Sequence, residues 1–108
     1  LEMELGMSES EANDTGWRGT DQATQMKSSP EDSPSWDGTN TSGFSGLAGG
    51  YRRFNGGFSN EGYGGYFWSA SANGAYAWNR ELHGGYTEVL RNYYNDLGDG
   101  FSVRCVRD

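Results

Sequence analysis

Alternation between apolar and polar positions is clearest in the segment that ends the chain. Within residues 100–108, Phe101, Val103 and Cys105 occupy alternate positions, with polar residues between them. Successive side chains of a β-strand point to opposite faces, so this pattern predicts a strand with one face in the core. A strand at this position must pair with strands formed earlier in the chain. We therefore expect it to be central and buried.

Three upstream segments have a similar composition, rich in aromatic and aliphatic residues and bounded by glycine and asparagine. They cover residues 66–71, 75–82 and 86–91, with turn-forming residues at 83–85 and 92–99. Short apolar runs separated by such turns are typical of consecutive antiparallel strands. The pattern predicts a Gly- and Tyr-rich antiparallel β-meander that ends in the C-terminal strand.

The only helical signal lies in residues 1–29. Ser8 is followed three positions later by Glu11, which is the spacing of a capping box at the start of a helix. The sequence therefore predicts a short N-terminal helix, and the fold class is α+β.

A loop region separates the helical part from the meander. Residues 30–50 are rich in Pro, Ser, Gly and Thr, which are typical of loops. We expect this loop to be ordered, because so small a core needs the rings of Trp36 and Phe44. The chain is predicted to be a single domain over 1–108, with the meander occupying 51–108.

Aliphatic residues are scarce, which limits how the core can be built. The chain has no isoleucine and few valines, but it contains four tryptophans and seven tyrosines. Each aromatic side chain buries a large area, so a few of them can fill a small core. We expect the core to rely on the tryptophans, which are Trp17, Trp36, Trp68 and Trp78.

The charge balance narrows the possible partners. The net charge is −7, whereas nucleic-acid binding requires a basic surface, so we expect no nucleic-acid partner. Acidic residues are concentrated in the first part of the chain, where a solvated surface is the usual interpretation. No apolar run approaches the roughly 20 residues of a membrane-spanning helix. The composition specifies no oligomeric state.

Residues that carry catalytic or metal chemistry are few. His83 and Cys105 are the only histidine and cysteine, so a zinc cluster and an internal disulfide are excluded. No Gly-x-Ser-x-Gly motif is present, and no Asp-x-Asp-x-Asp-Gly loop indicates calcium. We therefore predict no catalytic residue, no metal ligand and no cofactor.

Carboxylates on neighbouring strands offer the best remaining pair for acid–base chemistry, namely Glu81 and Glu88. Pairing of these acids with Arg80 or Arg91 across the sheet is the more typical arrangement. Arginine in a sheet normally pairs with a carboxylate, so at least two of Arg80, Arg91 and Arg104 are predicted to serve structure. The expected partners are backbone carbonyls or acids such as Glu81, Glu88, Asp96 and Asp99.

One compositional feature points to a binding function. Between Arg53 and Asp99, the positions expected to be exposed are mostly Tyr, Asn, Gly, Asp and Ser, as in many binding surfaces. The same residues also form turns and sheet faces, and this interpretation remains open. The candidate ligand-binding residues are Tyr63, Tyr76, Asn79, Glu81, His83, Tyr86, Tyr93 and Tyr94.

An ordered series of motifs resembles the Fibrobacter succinogenes major paralogous domain. The motifs occupy residues 38–44, 49–52, 65–69, 77–82, 89–91 and 100–107, with further similar residues at 5–8, 16–20 and 26–27. The resemblance implies a C-type-lectin-like fold in a secreted or surface-exposed bacterial protein. The strand and helix that open the family domain have no counterpart here, so we expect an N-terminally truncated domain.

A second resemblance is to the variable proteins of diversity-generating retroelements, whose lectin-like domains are randomised at asparagine codons. Changes of the adenines in such a codon give a limited set of residues, and glutamate is not among them, so Glu81 and Glu88 do not fit. The positions that hold a residue of this set are Tyr76, Asn79, His83, Gly84, Gly85, Tyr86, Leu90, Tyr93 and Tyr94.

Three classes of function follow from these observations. The leading hypothesis is a non-catalytic ligand-binding or adhesion module, extracellular or at the cell surface, that binds a protein or glycan. The alternative is a structural subunit of a surface layer or filament, which the acidic, Gly- and Tyr-rich composition also fits. An enzyme is third, because the sulfatase-modifying branch of lectin-like folds uses cysteine, whereas Cys105 is predicted to lie in the core.

Overall fold

Six strands and two short helices form the part of the chain that the structure, a computed structural model, describes (residues 1–93 and 97–107). The helices are α1 (Glu9–Ala12) and α2 (Gln22–Met26). The strands are β1 (Gly16–Arg18), β2 (Tyr51–Arg52), β3 (Phe58–Ser59), β4 (Gly64–Asn73), β5 (Tyr76–His83) and β6 (Val89–Asn92). Neither helix of these residues is long and apolar enough to cross a membrane.

A four-stranded antiparallel sheet with the order β1-β6-β5-β4 organises the domain. Strands β4, β5 and β6 are consecutive neighbours, which confirms the predicted meander and the α+β class. Strand β1 was not predicted, because its three residues lie far from the meander in sequence. It pairs with β6 through Gly16 and Arg91, while β2 and β3 form a separate two-stranded sheet.

Helix α1 begins where the capping signal predicted. The Ser8 hydroxyl accepts a hydrogen bond from the Glu11 backbone N–H at 3.2 Å. The reciprocal half of the capping box is absent, because the Glu11 carboxylate instead accepts from the Gly19 N–H at 3.1 Å. Glu11 thereby ties the helix to the residue that follows β1.

The hydrophobic core lies between α2 and one face of the sheet. Leu82 and Val89 from the sheet pack against Ala23 and Met26 from α2, and all four are buried. The aromatics of the loop over residues 30–50 pack against this cluster, as predicted from their composition: these are Trp36 and Phe44. The fully buried centre is aliphatic, contrary to the expected reliance on tryptophan, since aromatic rings surround it.

The prediction of a central, buried C-terminal strand is wrong. Ser102 forms a single parallel bridge with Phe67, and residues 103–107 belong to no strand. Val103 is 74% exposed and Cys105 is also exposed. To continue as a strand, residues 103–107 would have to pair with the outer edge of β4 beyond Phe67. In that stretch β4 is irregular, because its pairing with β5 is interrupted between Trp68 and Ala72.

Phe101 is the one residue of that pattern that packs inward. Its ring stacks on Trp68 with centroids 4.3 Å apart and also contacts Tyr66 and Tyr51. The segment therefore anchors to the sheet through the backbone of Ser102 and the ring of Phe101, which covers the face opposite to α2.

The arginines of the sheet serve structure, as predicted, but with other partners. Arg80 Nε donates to Glu2 Oε1 at 2.6 Å, and Arg91 Nη1 donates to the Asn13 carbonyl at 2.5 Å. Arg104 instead places its guanidinium over the ring of Phe44. Among the described residues, the predicted acids Glu81, Glu88 and Asp99 form no salt bridge with these arginines, and Asp96 lies outside the described residues.

Candidate functional site

Residues from four strands form one row across the face of the sheet that points away from α2. Glu81 on β5 is paired with Tyr66 on β4 and with Leu90 on β6, and Leu90 is paired with Trp17 on β1. Directly paired residues of antiparallel strands share a face, so these four side chains lie side by side. Alternation along β5 places His83 on the same face as Glu81.

Four aromatic side chains meet at the end of this face, and we call them the aromatic patch: Trp17, Tyr63, His83 and Tyr86. The rings of Trp17 and Tyr86 are stacked, with centroids 4.4 Å and planes 8° apart. The imidazole of His83 lies edge-on to Trp17 at 5.1 Å and to Tyr63 at 6.0 Å. Each ring outside the imidazole remains open to solvent, with exposures of 38% for Trp17, 53% for Tyr63 and 43% for Tyr86.

A buried carboxylate holds the imidazole at the centre of the patch. His83 Nε2 and Glu81 Oε2 lie 2.8 Å apart, and Glu81 Oε1 accepts a hydrogen bond from Asn79 Nδ2 at 3.1 Å. Glu81 is 5% exposed and Asn79 is fully buried. These two residues therefore orient His83 from beneath, and the ligand-facing surface is aromatic.

Tyr66 lies below the patch and contacts the imidazole ring at 5.7 Å. Its hydroxyl accepts a hydrogen bond from Asn60 Nδ2 at 2.7 Å. Burial raises the pKa of Tyr66 above its usual value, the negative charge of Glu81 adds to this effect, and the bond from Asn60 opposes it. The phenol therefore stays neutral at physiological pH and acts as a packing surface for His83.

The turn that carries His83 and Tyr86 is held by the only lysine of the chain. Lys27 Nζ donates to the carbonyl oxygens of His83 at 3.0 Å and of Tyr86 at 2.9 Å. The same ammonium forms a salt bridge of 2.8 Å with Asp37 Oδ1. Lys27 is almost completely buried, so three oxygen atoms satisfy its three donors in place of water.

The other oxygen of Asp37 also bonds this turn, and we call Lys27 and Asp37 together the clamp. Asp37 Oδ2 accepts from the Gly85 backbone N–H at 2.6 Å, within the same turn. Burial raises the pKa of Asp37, but the hydrogen bonds from Lys27 and Gly85 and the charge of Lys27 outweigh it, so the net pKa is lowered. Gly38 permits this packing, because a methyl group there would lie 2.3 Å from the Lys27 carbonyl oxygen.

The eight candidate ligand-binding residues separate into groups. The structure brings together Tyr63, Glu81, His83 and Tyr86, with Asn79 beneath them. Tyr76 lies at the tip of the β4–β5 hairpin, roughly 23 Å along β5 from His83 at about 3.3 Å per residue. Tyr93 packs edge-on against Trp78 at 4.7 Å, away from the patch. Tyr94 lies outside the described residues.

The sequence did not nominate four residues of this site, which are Trp17, Tyr66, Lys27 and Asp37. Trp17 was assigned to the core, but its ring belongs to the aromatic patch, since β1 lies beside β6 in the sheet. Lys27 is the only lysine of the chain, and no catalytic or binding motif includes it. That rarity was the only available signal, because nothing local indicates that it reaches a turn more than fifty residues away.

The structure shows no salt bridge of Glu81 or Glu88 with Arg80 or Arg91 among the described residues, contrary to the pairing expected from the sequence. Glu81 bonds His83, while the side chains of Arg80 and Arg91 bond the N-terminal part of the chain. Glu88 lies immediately before β6, outside the strand. In the described part of the chain, no group of three His, Cys, Asp or Glu side chains could hold a metal ion.

These features define a small α+β domain whose antiparallel sheet ends in an aromatic patch on a clamped turn. The chain belongs to the family described as the Fibrobacter succinogenes major domain, whose model matches residues 1–107. No curated protein and no solved structure matches the chain significantly.

Proposed function

We propose that this domain is a non-catalytic ligand-binding or adhesion module, and that the aromatic patch contacts the ligand. The observation that carries the proposal is the convergence of four aromatic side chains on a turn held by Lys27 and Asp37. A rigid turn loses little conformational entropy on binding, so partly exposed rings on it favour affinity. The ligand is a protein or a glycan, since tyrosine and tryptophan rings serve both kinds of contact.

The cellular location of the domain is part of the same proposal. Resemblance to secreted and surface-exposed bacterial proteins supports an extracellular or cell-surface position, and family membership is consistent with it. Protease treatment of intact cells that produce the full-length natural protein tests this. Loss of the domain from intact cells is expected, whereas protection until the cells are lysed would contradict the proposed location.

We also propose that the fold is C-type-lectin-like. The antiparallel meander and the two short helices support this assignment, which originates in the family resemblance. An experimentally determined structure, superposed on lectin-like domains, tests it. A sheet order that differs from theirs would refute it.

Diversification by a retroelement remains a proposal for a subset of the surface. Tyr86 is exposed enough to vary. His83 is only 15% exposed at its side chain and is bonded to Glu81, and Asn79 is fully buried and also bonded to Glu81, which limits substitution at both. Sequencing of the encoding locus tests this idea. A reverse-transcriptase gene with a template repeat over these codons is expected, and a locus without both would refute it.

The binding proposal is tested in two stages. The purified domain is first applied to glycan and protein arrays, and hits are measured in solution by titration. The variants Tyr63→Ser and Tyr86→Ser are then compared with the unmodified protein. If either ring is a hot spot, its loss should cost about 2 kcal/mol, which corresponds to roughly 30-fold weaker binding.

Tyr76→Ser is the matched control, because it removes a tyrosine of similar exposure from the hairpin tip. Circular dichroism verifies that all variants are folded. Undiminished binding by folded Tyr63→Ser and Tyr86→Ser proteins would refute the patch. A loss of binding with Tyr76→Ser alone would move the contact surface to the hairpin tip. If neither array gives a hit, the structural-subunit hypothesis becomes the stronger one.

A further inference from the structure

A cleft of about 760 Å³ lies on the side of β5 that faces away from the aromatic patch. Arg80 and Leu82 line it, and strand alternation places these side chains opposite to Glu81 and His83. Its walls are mainly apolar and come from distant parts of the chain, including Met3, Met26, Phe44, Phe67, Val103 and Val106. This volume is within the range of ligand sites in proteins.

Unpaired backbone forms one rim of the cleft. Ser102 exchanges hydrogen bonds with β4, but the backbone groups of residues 103–107 bond no other part of the described chain. Val103 and Val106 are exposed at the same rim. Unpaired N–H and C=O groups beside exposed apolar side chains form an edge to which another strand can add.

The wall behind the cleft carries an excess of positive charge. Glu2 uses one carboxylate oxygen for Arg18 at 2.5 Å and the other for Arg80 at 2.6 Å. It is the only carboxylate that forms a salt bridge with an arginine among the described residues, although Arg91 lies close by. Burial, followed by the charges of Arg80 and Arg18, lowers the pKa of Arg91.

Several donors of these arginines have no acceptor among the described residues. Arg18 is 3% exposed, and its Nε and Nη2 atoms have no hydrogen-bond partner in that part of the chain. Arg80 Nη1 is likewise unpartnered, and the Arg80 side chain lines the cleft. Uncompensated buried positive charge is unfavourable, and Arg80 is the member of this group that lines the cleft and is partly exposed. A carboxylate in the cleft beside Arg80 would therefore stabilise the group.

We propose that the cleft binds an extended peptide segment of a partner protein by strand addition along residues 103–107. Alternate side chains of the segment enter the cleft, where the outer ones are apolar and the middle one is a carboxylate that pairs with Arg80. The apolar walls suit the apolar side chains of this occupant, and the open backbone edge suits its extended backbone. The excess of arginine suits its carboxylate. The site is separate from the aromatic patch and does not depend on it.

A capped peptide of the sequence Thr-Val-Thr-Glu-Thr-Val-Thr, labelled with a fluorophore, is the probe. Its two valines and its glutamate share one face of a strand. Fluorescence anisotropy with the complete 108-residue chain should show saturable binding. Replacement of the peptide glutamate by glutamine should weaken binding about tenfold, and replacement by lysine should weaken it further.

Backbone methylation distinguishes strand addition from side-chain binding alone. Successive N–H groups of a strand point to opposite edges, so only alternate ones face a partner strand. Methylation of one of two neighbouring amide nitrogens should abolish binding, and methylation of the other should leave it unchanged. Equal effects at both positions would overturn the strand-addition mechanism.

Two protein variants test the cleft itself. Arg80→Gln removes the charge that faces the carboxylate and should make the glutamate and glutamine peptides bind equally. Val103→Glu adds a negative charge at the rim, so peptide binding should be lost. The chain should remain folded, because the side chain of Val103 is exposed. Tyr86→Ser should leave peptide binding intact, which separates this proposal from that of the aromatic patch.

Absence of saturable binding up to about 1 mM peptide would overturn the proposal. Equal binding of the glutamate and lysine peptides would overturn the proposed pairing of the peptide carboxylate with Arg80. Decanoate is the remaining comparison, since it combines an apolar body with a carboxylate but has no peptide backbone. Binding of decanoate in the cleft without binding of the peptide would show that the site accepts a small amphipathic acid instead.

Discussion

The indole ring of Trp17 and the phenol ring of Tyr86 stack face to face, with centroids 4.4 Å apart. One ring comes from the first strand of the sheet and the other from a turn near its last strand. Their contact therefore joins the N-terminal part of the chain to the turn that Lys27 and Asp37 hold. The aromatic patch depends on this tertiary contact.

The stacked pair should be energetically coupled. Trp17→Ala and Tyr86→Ala, combined in a double-mutant cycle, are expected to give a coupling energy of about 0.5–1.5 kcal/mol, because stacked rings add to simple area burial. Urea unfolding of the four proteins measures it. A coupling indistinguishable from zero would mean that the rings do not interact in solution.

The clamp on the turn should weaken in acid. The lowered pKa of Asp37 means that its carboxylate stabilises the folded state above the unfolded value of about 3.9, and that this contribution is lost as pH falls further. Because the side chain is 42% exposed, Asp37→Asn should cost at most about 1 kcal/mol at pH 7. Unfolding midpoints of the two proteins should converge below pH 4, and a constant difference between pH 7 and pH 3 would contradict this account.

The carboxylate of Glu2 should be important for stability although it lies near the chain terminus. Glu2→Gln disrupts the salt bridges to Arg18 and Arg80 and leaves buried guanidinium charge uncompensated, so we expect a loss of about 3 kcal/mol. Glu4→Gln is the control at an exposed position and should change stability by less than about 0.5 kcal/mol. Similar losses for both variants in urea unfolding would indicate a general charge effect.

Only one of the alternating apolar residues near the C-terminus should matter for folding. Phe101→Ala removes contacts with Trp68, Tyr66 and Tyr51 and should cost about 2–3 kcal/mol, somewhat less than for a fully buried aromatic residue. Val103→Ser should change stability by less than about 0.5 kcal/mol, because the side chain is exposed. Chemical unfolding compares the two variants, and a larger loss of stability for Val103→Ser would support a buried C-terminal strand after all.

Local patterns in the sequence were sufficient for the meander and for the start of the first helix. Consecutive strands joined by Gly- and Asn-rich turns pair with their neighbours, so β4, β5 and β6 follow from short-range order. The Ser8 cap likewise involves residues three positions apart. Family membership also follows from the order of motifs along the chain.

Tertiary structure decided the rest, because it depends on contacts between residues far apart in sequence. Alternation at Phe101, Val103 and Cys105 indicates that a strand can form, but a strand also needs the edge of another strand with which to pair. Strand β4 pairs with this segment only at Ser102. Tyrosine composition indicated several candidate contact residues. Only the pairing of β1 with β6 and the long reach of Lys27 gather some of them around His83, since the antiparallel register, absent from any local pattern, determines which side chains meet.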